Sequence, residues 1–268
     1  MSSVIPDMAM FIAGLLLFST SLLNVKPAPV FSDVYVGDQG PYRFLVDTGA
    51  QTSLIDPKLA AQLQLKPGFR IEVVTQNSTR LLPGMKINTL RIGQTRLHDV
   101  EIVFHELTQA RRLDPAIMGV LGVNALAGLD FTLCPRDGKL ELANQRPKGT
   151  VLPFIRIEDR IAIQARMGRE TLTLILDSGA THIVLFHTPE AMAKSPALRT
   201  TFGTLEGARR SVPTCWTADM SFANTVKFGM LPAAIVSRPG AQADGLLPAS
   251  LFKSVYVDQD RGEVVLVR

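Results

Sequence analysis

The chain has 268 residues, 46% hydrophobic, 19% charged and 6% aromatic, with 20 Gly and 17 Pro. That is enough apolar material for a packed core, and it excludes wholesale disorder, collagen and a polytopic membrane protein. The formal net charge is +4 and the bases are scattered, the longest clusters being Arg111-Arg112 and Arg209-Arg210, so the concentrated basic face that nucleic-acid binding needs is not expected.

Only Cys134 and Cys215 occur, with neither a CxxC nor a cysteine-histidine cluster, and His98, His105, His182 and His187 include no HExxH. A structural zinc site, a disulfide framework and a zincin site are therefore excluded. Whether the two thiols pair or stay as buried free thiols is left open by the sequence.

Residues 1–28 come first. Met8 to Leu23 carries no charge and is followed by Asn24-Val25-Lys26-Pro27. The run is short for a transmembrane span and suits the apolar region of a signal peptide or an N-terminal membrane anchor, with a buried helix of the folded domain as the alternative. Either of the first two readings places the rest of the chain in the periplasm or outside the cell, with membrane contact only through this segment.

Beyond Pro29, short apolar or alternating runs rich in Val, Ile, Leu, Thr and Phe are broken by Gly, Pro and Asn-Ser turns, the pattern of an all-β fold. Strands are expected at Val34 to Val36, Tyr42 to Val46, Ile71 to Thr75, Lys86 to Ile92, Val100 to Phe104, Leu152 to Ile157, Leu172 to Leu176 and Val264 to Val267. Helices are expected to be few and short, at Pro57 to Leu65, Val123 to Ala127, Thr188 to Ala193 and Pro248 to Lys253.

The chain repeats itself. Tyr42 to Ala50 reads YRFLVDTGA, and Leu172 to Ala180 reads LTLILDSGA, 130 residues later. A second echo follows each: Gly119 lies 72 residues after Asp47 in MGVLGVNAL, and Gly245 lies 68 residues after Asp177 in DGLLPASLF. Both are followed by an apolar strand, a polar turn containing Gly138 or Gly262, and a closing strand. A period this long indicates duplication of one domain rather than a solenoid. The predicted organisation is two homologous β-barrel-like lobes, residues 29–147 and 148–268, joined by a polar linker near Asn144 to Thr150.

An Asp at the end of a run of β-formers, followed by a hydroxyl residue and Gly, describes a strand ending in a tight turn that presents a carboxylate. Two such turns related by a pseudo-two-fold axis bring Asp47 and Asp177 together. Two carboxylates held close share one proton near neutral pH, so one spot supplies both an acid and a base. Such a pair can deprotonate a water, polarise a carbonyl and return the proton to an amide nitrogen without a metal, a cofactor or a covalent nucleophile.

These two motifs, with their downstream hydrophobic-Gly elements, resemble the aspartic proteases, and within them the retropepsin-like group. The resemblance covers roughly Pro29 to Arg268 and implies a bilobal acid-protease fold (pepsin/retropepsin-like) and an aspartic endopeptidase acting on an extended polypeptide. Retropepsins usually build the site from two identical chains. Here both halves lie in one chain, like a fused dimer, so a monomer is expected to suffice. By this resemblance Asp47 and Asp177 are the catalytic dyad, while Thr48, Gly49, Ser178 and Gly179 brace the two turns. Ala50, Gln51 and Thr52, with Ala180, Thr181 and His182, stand where the family lines its substrate cleft.

The resemblance also places flaps at Thr75 to Pro83 and Gly203 to Pro213, and a floor sheet built from Val34 to Val36, Lys139 to Leu142, Leu152 to Ile157 and Val264 to Val267. Departures are visible too. Pro248 stands where the first lobe has Gly122, Gln51 and Thr181 replace an acidic residue, and His182 is expected to add a positive charge below about pH 6.5. A reading from another class, a catalytically silent peptide-binding or adaptor protein of the cell envelope, keeps the same fold.

Overall fold

The computed structural model describes residues 10–11, 29–74, 79–142, 145–192, 198–203 and 209–268. The first lobe is a closed barrel. Starting at strand Phe31–Val36, the hydrogen-bonded order runs through Gln39–Val46, Ile117–Leu121, Ser53–Ile55, Thr95–Phe104 and Thr79–Ile92, and the last of these pairs back onto the first. Closure hides the strand edges that an open sheet would expose. Val34, Phe44, Val46, Leu90, Ile102 and Leu121 fill its interior, all buried.

Helix Pro57–Gln62 follows directly from its sequence. Asp56 caps it by accepting the Lys58 N–H at 2.9 Å, and Pro57 occupies the first helical position, where no amide hydrogen is required.

The second lobe repeats this order. Strands Arg160–Met167, Glu170–Asp177, Ile183–Leu185, Pro232–Ile235 and Gly245–Pro248 correspond to those of the first barrel, with the same parallel pairing of the Asp-bearing strand to the hydrophobic-Gly strand. The long hairpin Thr79–Ile92/Thr95–Phe104 is broken here into two shorter antiparallel pairs, Arg209–Trp216 with Pro232–Ile235 and Met220–Phe222 with Val226–Phe228.

A floor sheet joins the lobes. Its order is Lys139–Leu142, Phe131–Cys134, Ser254–Asp258, Glu263–Val267 and Thr150–Pro153, entered from Phe31–Val36. The inter-lobe step is the pairing of Val255, Tyr256 and Val257 with Leu133, Thr132 and Phe131. Gln259 reinforces it, its amide donating to the carbonyls of Leu126 and Leu129 at 2.5 and 2.6 Å. The linker is tied down by Arg146, which bonds Asp258 and Glu263 at 2.6 Å each.

Two expectations need correction. Leu152 to Ile157 is not one strand: Thr150–Pro153 belongs to the floor and Ile155–Ile157 to the second lobe, with the Phe154 N–H turning aside to the Gly262 carbonyl. Two of the expected helices, near Thr188 and Pro248, are single 3-10 turns, Glu190–Met192 and Ala249–Leu251. At Pro248 the change has a local cause, since Gly122 caps a short α-helix, Val123–Leu126, supported by Asn124 bonding Ser53, and Ile183 and Ser250 stand in the places of Ser53 and Asn124.

Among the described residues no helix is long and apolar enough to cross a membrane. Of the segment expected to direct export, only Met10–Phe11 is described, paired parallel to Val73 and Val74. The tips of both expected flaps, 75–78 and 204–208, lie outside the described residues, although the hairpin arms Phe69–Val74/Thr79–Ile92 and Leu198–Gly203/Arg209–Trp216 are formed. Cys134 and Cys215 are free thiols, and burial raises the Cys134 thiol to about 11.

Candidate active site

The strand beside each Asp-bearing strand carries a glycine where bulk is excluded. A Cβ on Gly119 would lie 2.0 Å from the Phe44 ring, and one on Gly245 would lie 2.0 Å from the Val184 carbonyl oxygen. Asp47 and Asp177, at the ends of their strands, are both fully buried.

The turns interlock. The Thr48 hydroxyl donates to the Leu176 carbonyl at 2.8 Å and accepts the Ser178 N–H at 3.0 Å. Ser178 returns both bonds, its hydroxyl donating to the Val46 carbonyl at 2.8 Å and accepting the Thr48 N–H at 3.1 Å. Each hydroxyl is used once as donor and once as acceptor, and all four bonds cross between lobes.

The carboxyl groups meet over the glycines. Asp47 Oδ1 accepts the Gly49 N–H at 3.0 Å; Asp177 Oδ1 accepts those of Gly179 and Ala180 at 2.7 and 2.9 Å. A Cβ on Gly49 would lie 2.5 Å from Asp177 Cγ, and one on Gly179 2.8 Å from Asp47 Cγ. Each carboxyl therefore rests against the glycine of the opposite turn. Oδ2 of each accepts no hydrogen bond from the described residues.

Burial raises Asp47 to about 6 and Asp177 well above the usual carboxylate range, where the charge of Asp47 adds to the effect. Two carboxyls raised together in this way titrate as a pair.

The other expected site residues divide. Ala50, Thr52 and Ala180 are buried in the turns, whereas Gln51, Thr181 and His182 are half-buried. Gln51 crosses the junction, its amide donating to the Glu158 carbonyl at 2.9 Å. His182 bonds Thr181 Oγ1 at 2.9 Å, and burial lowers its pKa, which moves the expected positive charge to lower pH.

Sequence reasoning passed over Glu158, Arg160 and Arg238. Arg160 begins a strand whose alternating pattern gives no sign of a buried cation, yet its side chain is 2% exposed. Its Nη2 bonds the Glu158 carboxylate, while Nε and Nη1 have no partner among the described residues.

Residues 32–125 match the family model described as aspartyl protease. The matched span holds the Asp47 turn and the Gly119 strand and ends before the second motif. Among solved structures, a retropepsin-like aspartic protease from Rickettsia conorii is 18% identical, covering 44% of this chain and 88% of its own, with a TM-score of 0.32. An aspartic proteinase from Irpex lacteus is 13% identical, covering 90% of this chain and 96% of its own, with a TM-score of 0.46. No curated protein sequence matches. The family match thus bears out the resemblance to aspartic proteases over the first motif, and the all-β, bilobal architecture is the expected one.

Proposed function

We propose that the chain is an aspartic endopeptidase whose dyad, Asp47 and Asp177, is complete within one molecule. The observation that carries this reading is the mutual seating of the two carboxyls, each against the opposite glycine with an Oδ2 that accepts no hydrogen bond from the described residues. A buried acid pair costs stability, and a shared proton gives it an acid and a base at one spot.

In this mechanism the ionised member takes a proton from a water held between the carboxyls. That water attacks the peptide carbonyl carbon while the protonated member donates to the carbonyl oxygen. The tetrahedral species collapses as the C–N bond breaks and a proton passes to the departing nitrogen. The hairpins Phe69–Val74/Thr79–Ile92 and Leu198–Gly203/Arg209–Trp216 serve as flaps, pairing by backbone with an extended peptide. Export or anchoring through residues 1–28 belongs to the same proposal.

The test is cleavage of a mixed peptide library by the full chain across roughly pH 4 to 8, beside Asp47→Asn and Asp177→Asn, read by mass spectrometry. Loss of cleavage in both variants, with folding retained, is the expected result. A wild-type protein that is folded and cleaves nothing overturns it and leaves a peptide-binding protein.

A further inference from the structure

The two aspartates differ in what stands beside them. Arg160 heads the strand Arg160–Met167, which pairs antiparallel with Glu170–Asp177 in a register that matches Ala162 with Ile175. Two steps toward the lobe junction, that register sets Arg160 opposite Asp177, and residues opposite each other in an antiparallel pair project to the same face. The first lobe has no counterpart. Its register matches Phe31 with Leu45, which sets Pro29 opposite Asp47, and the Val46 N–H bonds the Val30 carbonyl at 2.8 Å one step before that point. The duplicated frame therefore sets a cation level with one aspartate and a proline level with the other.

The Arg160 side chain is 2% exposed, so its charge acts through a medium of low dielectric, whereas its partner Glu158 is 25% exposed and is partly screened by water. The ion pair is therefore not neutral as seen from the interior. What Arg160 meets in the interior is the dyad. Both carboxyls are fully buried, and Gln51, four residues after Asp47, donates to the Glu158 carbonyl at 2.9 Å and ties the Arg160 hairpin to the opposite turn. The charged groups that face Arg160 are Glu158 on its own hairpin, Arg238 from the loop after Pro232–Ile235, and Asp177 and Asp47 at the turns. Its charge opposes the effect of burial on Asp47.

We infer that Arg160 is a positioning residue for the dyad: from one lobe only, its buried charge favours the ionised carboxylate that activates the water. It acts through Asp177 and Asp47 and has no need to touch the substrate. The inference rests on the protease reading and extends it to a residue outside both motifs. It also gives the duplication a consequence, since two halves in one chain can place a cation beside a single member of the pair, whereas identical chains carry it on both sides.

The experiment measures kcat/KM of the full chain from about pH 4 to 8 on an end-blocked library peptide without ionisable side chains, for wild type, Arg160→Met and Glu158→Gln. Both variants break the same ion pair. Removing the cation should move the acidic limb up by about one pH unit, and removing the carboxylate, which leaves Arg160 uncompensated, should move it down by about half a unit. A purely structural role lowers kcat/KM in both variants and leaves the limb within about 0.2 unit of wild type. That result overturns the inference, as does movement of both limbs in one direction. If Arg160→Met does not fold, Glu158→Gln decides alone: a downward move supports the inference and any other result overturns it. If the wild-type chain cleaves no peptide, the protease reading fails by itself. The inference is then judged by carbon NMR titration of the Asp47 and Asp177 carboxyls in the same proteins, where displacements of opposite sign support it and any other result overturns it.

Discussion

Thr48 and Ser178 hold each other across the lobe junction by four hydrogen bonds, each side chain bonding the other residue's N–H and a backbone carbonyl of the opposite strand. The two hydroxyls therefore set the distance between the turns that carry Asp47 and Asp177. Every group involved is shielded from water, so a lost partner is not replaced by solvent.

Thr48→Val keeps the shape and deletes the hydroxyl. It orphans the buried Ser178 N–H and Leu176 carbonyl, and at about 1–3 kcal/mol for each such group the loss of stability should come to roughly 3 kcal/mol. Thr48→Ser keeps both bonds and should cost less than about 1 kcal/mol. Urea denaturation of the three proteins checks this; equal midpoints for Thr48→Val and wild type would contradict the bracing role.

The glycines beside the dyad make a sharper demand. A methyl group on Gly49 would enter to 2.5 Å of Asp177 Cγ, and the carboxyl cannot retreat because its other oxygen is held by Gly179 and Ala180. Gly49→Ala should lower kcat/KM by about 100-fold or more through misplacement of one carboxyl. Gly229→Ala is the control. A methyl group there would meet nothing within 4 Å, so stability should change by no more than about 0.5 kcal/mol. Steady-state kinetics and thermal denaturation on both variants separate a local clash from a general intolerance of alanine.

How much of this was legible depended on whether a feature repeats. Asp47 and Asp177 could be paired from sequence because the same nine-residue pattern recurs with the same downstream glycine strand, and a coincidence of two signals is hard to produce by chance. The inter-lobe sheet was legible in part: Lys139 to Leu142 and Val264 to Val267 were expected in it, whereas Phe131–Cys134 and Ser254–Asp258, which make the pairing between lobes, were not. Arg160 was not legible. Its burial comes from tertiary context: the Ile155–Ile157 strand folds back at Glu158-Asp159 and draws the first residue of the next strand inward. The break at Phe154 had one signal in the sequence, Pro153, which cannot donate to a strand ladder, and the Phe154 N–H bonds the Gly262 carbonyl instead. His182 shows the limit on electrostatics, as its pKa is set by neighbours that a linear sequence does not list.

The turn that buries Arg160 is itself strained. Ile157 pairs with Arg160, leaving a two-residue hairpin loop in which Glu158 and Asp159 both adopt left-handed backbone angles, φ 49° and 64°. Glycine or asparagine is the usual occupant of such positions. Asp159→Gly should raise stability by up to about 1 kcal/mol, since the relief of left-handed strain outweighs the added freedom of the unfolded chain. Chemical denaturation gives the sign directly, and a loss of stability would mean that the Asp159 side chain contributes more than its backbone costs.

The dyad's proton makes the last prediction, and its sign can be worked out on both activity and stability. Asp47 is raised from 3.8 to about 6 and Asp177 further, mainly by burial. Below about pH 6 both carboxyls are protonated and no base remains, so kcat/KM should rise with pH through an apparent pKa near 6, giving an optimum nearer neutrality than to strong acid. The same elevation sets stability. The native state holds protons that the unfolded chain has released above its ordinary carboxylate pKa, so stability falls as pH rises through the interval from about 4 to 6 and stays reduced above it. A rise from 3.8 to about 6 corresponds to roughly 3 kcal/mol. Asp47→Asn removes that penalty, so it should be more stable than wild type at pH 8, by up to this amount, and nearly equal to it at pH 3.5, while being inactive at both. Denaturation curves at the two pH values decide the matter: a variant less stable than wild type at pH 8 would mean that the Asp47 carboxylate is stabilised by its surroundings rather than strained by them.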